Sequence, residues 1–272
     1  MKSFFFISTC VLLLLACSSN EKAEEYTEMT PENHDSLMIA MMNPSDVSVQ
    51  TIGILVYDGV NDLDTFGPRY VLGQIMGAKT MLVSTTPGPV TTVMGARIIP
   101  DAVIDSVSQL DILVVPGGYR GTILNTYDKR THEWIRMIDE NSVYTAGVCT
   151  GTWILGGAGL LEGKEATTNW YRAEEMMTKF GATFVDTRFH NDGKYWTSAG
   201  VTAGMDMSLA IMKELLGEDY TQGVMLDMEY DPAPPIVGGS PETTKPSVYN
   251  MMLGMYDMGI QPMLDSLEAI NQ

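Results

Sequence analysis

The sequence predicts an α/β fold, a mostly parallel central sheet with helices on both faces. Short β-branched apolar runs, each the length of one buried strand, alternate with stretches of helical periodicity. Several of those runs stop at turns rich in glycine or proline, where a strand gives way to the next element. The chain has 272 residues, 45% hydrophobic and 18% charged. At that length roughly three quarters of the extended surface is buried, so a full core forms without disulfide or metal staples.

The first strand is Thr51 to Tyr57, closed by Asp58-Gly59, and a helical run follows from Thr65 to Met76. Met81 to Ser84 is a second strand, ended by Pro87-Gly88-Pro89, with a hairpin-like pair after it at Val90–Met94 and Ala96–Ile99. Asp111 to Val115 runs into Pro116-Gly117-Gly118. A helix over Lys129–Glu140 precedes the strand Ser142–Val148, and helical pattern resumes at Thr150 to Leu155. In such a sheet ligands bind beyond the carboxyl ends of the strands. Asp64, Gly117 with Gly118, and Cys149 each lie just past such an end.

The organisation reads as residues 1–16, a lipoprotein signal; 17–48, an acidic tether; 49–241, the folded domain; and 242–272, a helical extension. Lys2 and the 13-residue apolar run Phe4 to Ala16 have the form of a secretory signal, and a spanning helix needs about 20 such residues. Leu14-Leu-Ala-Cys17 resembles a lipobox, which makes Cys17 the lipidated residue. By resemblance to sorting rules, the Ser18 that follows it places the protein at the outer membrane facing the periplasm, or at the cell surface. With 34 acidic and 16 basic side chains the net charge is −18. Such a body repels phosphate backbones and anionic lipid, so nucleic-acid binding is excluded and lipid is the route to a membrane.

Of three cysteines, Cys10 falls in the signal and Cys17 at the lipid site, leaving Cys149 alone in the body. A lone thiol is either inert or kept for its reactivity. Its surroundings, Gly147-Val-Cys149-Thr-Gly151, let a strand reverse sharply into a helix and expose the central side chain at a strained turn. A helix N-terminus also favours the thiolate, which lowers the expected pKa. For a carboxyl partner the first strand–helix loop offers Asp62 and Asp64, although an Asp before a helix is often only a cap. Beside a thiolate, that carboxyl is expected to hold its proton.

The motifs Tyr57-Asp-Gly-Val-Asn-Asp-Leu-Asp-Thr-Phe-Gly-Pro68, Asp111-x₄-Pro-Gly-Gly118, Val148-Cys-Thr-Gly151, Ala158-Gly-Leu-Leu-Glu-Gly163, Ala166-Thr-Thr-Asn-Trp170, Thr197-Ser-Ala-Gly-Val-Thr-Ala-Gly-Met-Asp206 and Glu229-Tyr-Asp-Pro-x-Pro-Pro235 together resemble the ThiJ/PfpI family, over about Val49 to Pro241. The resemblance is to its branch with isonitrile hydratase and the sensor domains of some AraC-type regulators. It implies a flavodoxin-like three-layer sandwich with glutamine-amidotransferase-like topology, a homodimer, and a small-molecule substrate handled without cofactor or metal. It further implies Cys149 as nucleophile, Asp64 as proton carrier, Gly118 and Thr150 N–H groups as an oxyanion hole beside Gly117, and Tyr119 and Trp170 as pocket walls.

Many relatives have His where this chain has Asn169. Asn hydrogen-bonds but does not titrate near neutrality, so no Cys–His relay is available there. His34 falls in the tether, His132 on a helix expected to be solvated, and His190 before a turn; none is favoured as a base. Met251, Met252, Met255 and Met258 recur at helical spacing, and soft packing is favoured over a Cu(I) site. AraC-type relatives add a DNA-binding module of roughly 100 residues, for which the residues after Gly238 are too few. A hydratase-like enzyme leads, with α-dicarbonyl detoxification and a non-catalytic binding or redox-sensing lipoprotein as alternatives.

Overall fold

A computed structural model describes residues 28–271. In chain order its elements are α1 His34–Ala40, β1 Thr51–Val56, α2 Asp62–Leu72, β2 Lys79–Ser84, β3 Val90–Thr91, β4 Arg97–Ile98, β5 Ala102–Val103, β6 Ile112–Val115, α3 Arg120–Thr126, α4 Lys129–Asn141, β7 Tyr144–Val148, α5 Gly151–Gly157, β8 Glu165–Ala166, α6 Ala173–Lys179, β9 Thr183–Phe184, β10 Phe189–Asp192, β11 Tyr195–Ser198, α7 Ala203–Leu216, α8 Glu218–Asp227 and α9 Pro246–Asn271.

Seven strands form the central sheet in the order β10-β11-β7-β6-β1-β2-β5, parallel except for the edge strand β10. This is the predicted α/β fold. β6 and β7 are buried along their whole length, and β1 from Ile52 to Val56, as expected where helices cover both faces of a sheet. β6 sits between β1 and β7, with Ile54 opposite Val114 and Val114 opposite Ala146. The carboxyl ends of these three neighbours therefore share one edge. The expected hairpin exists in shorter form as β3 and β4.

Three departures have physical causes. α2 starts at Asp62 rather than Thr65, because the Asn61 side chain accepts from the N–H groups of Leu63 and Asp64 and caps the helix there. Inside α2, Pro68 has no N–H for the Asp64 carbonyl four residues earlier. Within the acidic stretch, α1 forms and Met38 and Met42 pack on the body, while Asn43 and Ser45 donate backbone N–H groups to Leu216 and Leu215. Contact with the body thus begins well before residue 49. Of the α9 methionines, Met251, Met255 and Met258 are exposed, whereas Met263 packs on the core beside the buried Ile260 and Leu264. One helical face can dock on the body, and the three exposed methionines fall outside it. Residues 1–27, with the signal and Cys17, lie outside the described residues, and no described helix is long and apolar enough to cross a membrane.

Candidate active site

Cys149 stands where β7 turns into α5, with φ of +59°, in the left-handed region that non-glycine residues rarely adopt. Strand register holds it there, since its N–H bonds Ser198 O at 2.9 Å and the Thr168 hydroxyl caps its carbonyl at 2.9 Å. Glycine on either side is a space requirement. A Cβ on Gly151 would lie 2.0 Å from Val115 O, and one on Gly147 would lie 2.9 Å from Thr152 Cα. Gly151→Ala is therefore expected to displace the elbow and cost about 2–4 kcal/mol; an unaltered urea midpoint and thiol reactivity would contradict this packing.

Asp64 arrives from the first turn of α2 and is fully buried. Because Asn61 does the capping, the Asp64 carboxyl is free to turn inward toward the thiol and the Gly117 N–H. Those contacts couple the groups without closing regular hydrogen bonds, so both carboxyl oxygens lack a conventional partner among the described residues. A buried oxygen in that condition is poised for a ligand. Asp62 is committed elsewhere: it accepts from the Thr92 hydroxyl at 2.8 Å and Met94 N at 3.2 Å, fastening the β3–β4 hairpin.

The protonation states differ from expectation at the sulfur. Cys149, expected to be exposed at the turn, is instead buried under neighbouring segments and only 6% exposed. Burial first, then the Asp64 charge, hold its thiol well above the usual range, against the pull of the Thr150 N–H and the Asn169 amide. The lowered pKa expected from the helix terminus is overturned, because α5 is only seven residues long and desolvation of the charged form outweighs it. Burial also pushes Asp64 up to about 8, with the Cys149 and Gly117 contacts pulling the other way. The carboxyl holds its proton as foreseen, chiefly because it is desolvated. At neutral pH the pair is a thiol beside a carboxylic acid.

The remaining candidates gather at the same edge. The Thr150 hydroxyl bonds Gly118 O at 3.0 Å and receives Gly118 N at 3.1 Å. The Gly118 N–H is thereby engaged, leaving the Thr150 N–H as the donor on the sulfur. Asn169 Oδ1 accepts from Tyr171 N at 3.0 Å, which aims Nδ2 at the Cys149 sulfur, 3.4 Å away. Tyr119 and Trp170 directly follow Gly118 and Asn169 in the chain, and both rings pack against Tyr256. The sequence reading assigned no role to Gly200, where a Cβ would lie 3.0 Å from the sulfur. It stood in plain view within a glycine-bearing motif. The histidines take no part: His34 pairs with Asp35, His190 with Glu165, and His132 is buried rather than solvated, with Nε2 on Asn125 O at 3.0 Å.

A buried thiol on a strained elbow, beside a protonated acid from the first turn of α2, suits addition to an electrophilic carbon with proton transfer. Residues 50–214 match the DJ-1/PfpI family. The chain belongs to that family. It is 38% identical over 198 residues to isonitrile hydratase of Pseudomonas putida, covering 72% of this chain and 86% of that one. A crystal structure of a ThiJ/PfpI family protein from Pseudomonas syringae superposes with a TM-score of 0.78 at 32% identity, over 90% of this chain and 98% of the other. The HTH-type transcriptional regulator CdhR of Pseudomonas aeruginosa is 30% identical over 137 residues, which are 50% of this chain and 40% of that one.

Proposed function

We propose that this DJ-1/PfpI family member is a hydratase that adds water to an isonitrile and releases an N-substituted formamide. The observation that carries the reading is the buried contact between Cys149 and Asp64, in a chain 38% identical to an isonitrile hydratase. In the first step the Cys149 sulfur bonds the terminal isonitrile carbon. That carbon receives the Asp64 proton, and the carboxylate left behind takes the thiol's proton. The product is a thioimidate, with carbon joined to sulfur, hydrogen and nitrogen. Asp64 next protonates the nitrogen and helps water add to the carbon. Collapse expels Cys149 as a thiol, and the two hydrogens and one oxygen of water end in the formamide.

Each role follows from chemical state. A carboxylic acid with a pKa of about 8 gives and regains protons near neutrality, as a general acid must. Negative charge developing on sulfur is met by the Thr150 N–H and Asn169 Nδ2. The test is turnover: purified protein mixed with an isonitrile should yield the matching formamide, followed by loss of isonitrile and by product mass. No formamide above the uncatalysed rate would reject the reading.

The same proposal places the enzyme on a lipid anchor at Cys17, supported by the apolar run and Leu-x-Ala-Cys pattern of the leader, and keeps the homodimer implied by family resemblance. In the native host Cys17→Ala is expected to move the protein from the membrane to the soluble fraction. Membrane retention of that variant would refute the anchor.

A further inference from the structure

Nothing in the hydratase reading assigns a role to α9, which joins the body through residues 231–245, a connection of largely exposed side chains with no helix or strand. The helix is nevertheless docked. Ile260 and Leu264 are buried, Asp257 accepts from the Tyr171 hydroxyl at 2.8 Å and from Arg172 at 3.0 Å, and Glu268 pairs with Lys179. Four residues before Ile260, on the same face, Tyr256 meets three aromatic rings. Its centroid is 5.3 Å from Tyr119, 5.0 Å from Trp170 and 5.1 Å from Tyr171. Tyr249, from an earlier turn, adds a ring 5.6 Å from Trp170.

Tyr119 directly follows Gly118, whose backbone is bound to Thr150, and Trp170 directly follows Asn169, whose amide is 3.4 Å from the sulfur. The cluster therefore borders the catalytic edge. Burial first, then Tyr119 and the charges of Cys149 and Asp64, push the Tyr256 phenol up, which agrees with that proximity.

We propose that Tyr256 is a specificity-determining residue, a wall supplied by α9 that takes the substituent on the isonitrile nitrogen and favours a flat aromatic one. The inference rests on the hydratase reading for its substrate and on the aromatic cluster for its selectivity. Rings at these separations gain from offset and edge contacts that a saturated ring of equal bulk does not make. An anionic substituent is disfavoured: it would shed water among these rings, and Arg172, whose guanidinium lies over the Tyr171 ring, is committed to Asp257 and Glu175.

The test compares phenyl with cyclohexyl isonitrile in the whole protein, by kcat/KM, for wild type, Tyr256→Phe and Tyr256→Leu. Wild type and Tyr256→Phe are expected to prefer the aryl substrate about tenfold, and Tyr256→Leu, which keeps apolar bulk for docking, to fall within about twofold of parity. A second arm needs no turnover: alkylation of Cys149 by N-phenylmaleimide and N-cyclohexylmaleimide, read by peptide mass, should give the same ordering. An aryl preference absent from the wild type in both arms, or retained in Tyr256→Leu, overturns the assignment. If no isonitrile is consumed while alkylation follows residue 256, the wall stands and the hydratase reading falls.

Discussion

Cys149→Ser protein is expected to convert isonitrile at least about 1,000-fold more slowly than wild type, measured as formamide formed per enzyme. The hydroxyl is a far weaker nucleophile than the thiol, and Asp64, a carboxylic acid up to about pH 8, cannot serve as a strong base for it. The fold should survive, because a serine side chain is close in size to the cysteine it replaces. Near-native thermal stability with turnover gone is thus the expected pair of results. Substantial turnover by the variant would show that the covalent step belongs elsewhere.

Asp64→Asn should separate activity from stability. Turnover is expected to fall by about 100- to 10,000-fold, since the amide neither gives nor regains the proton. Stability should change in the opposite direction, in a pH-dependent way. In the unfolded chain Asp64 ionises near pH 4, whereas in the folded protein it keeps its proton to about 8. The folded state therefore binds more protons between these values. This contribution to stability is whole below about pH 4, declines as the pH rises toward 8, and levels off above. Asparagine abolishes the decline, so the variant should be more stable than wild type by roughly 1–3 kcal/mol at pH 8, a few degrees in Tm, and less so at pH 5. A Tm difference that stays constant from pH 5 to pH 9 would show that this carboxyl is not held neutral by the fold.

Strand runs and elbow glycines were legible in the sequence because each rests on local pattern, whereas the preference for Asp64 over Asp62 came only with the family motif. β-branched runs mark buried strands, and Gly147 and Gly151 bracket Cys149 with the space its backbone needs. The thiol's pKa was not legible. A helix terminus is visible in sequence, but the desolvation that outweighs it depends on packing from distant segments. His132 was misplaced for a related reason: α4 turns it against Asn125 and Gly157, contacts that its mostly polar neighbours in the chain do not announce. Tyr256 lies beyond every recognised motif, and only the docking of α9 brings it to the rings of Tyr119 and Trp170.

β6 lies between β1, which leads to Asp64 in α2, and β7, which leads to Cys149, and the loop after β6 supplies Gly117. Until those three strands are aligned side by side, the unfolded chain carries only an ordinary, uncoupled thiol and an ordinary, ionised aspartate. Chemical competence is thus a property of the assembled middle of the sheet and of neither residue alone.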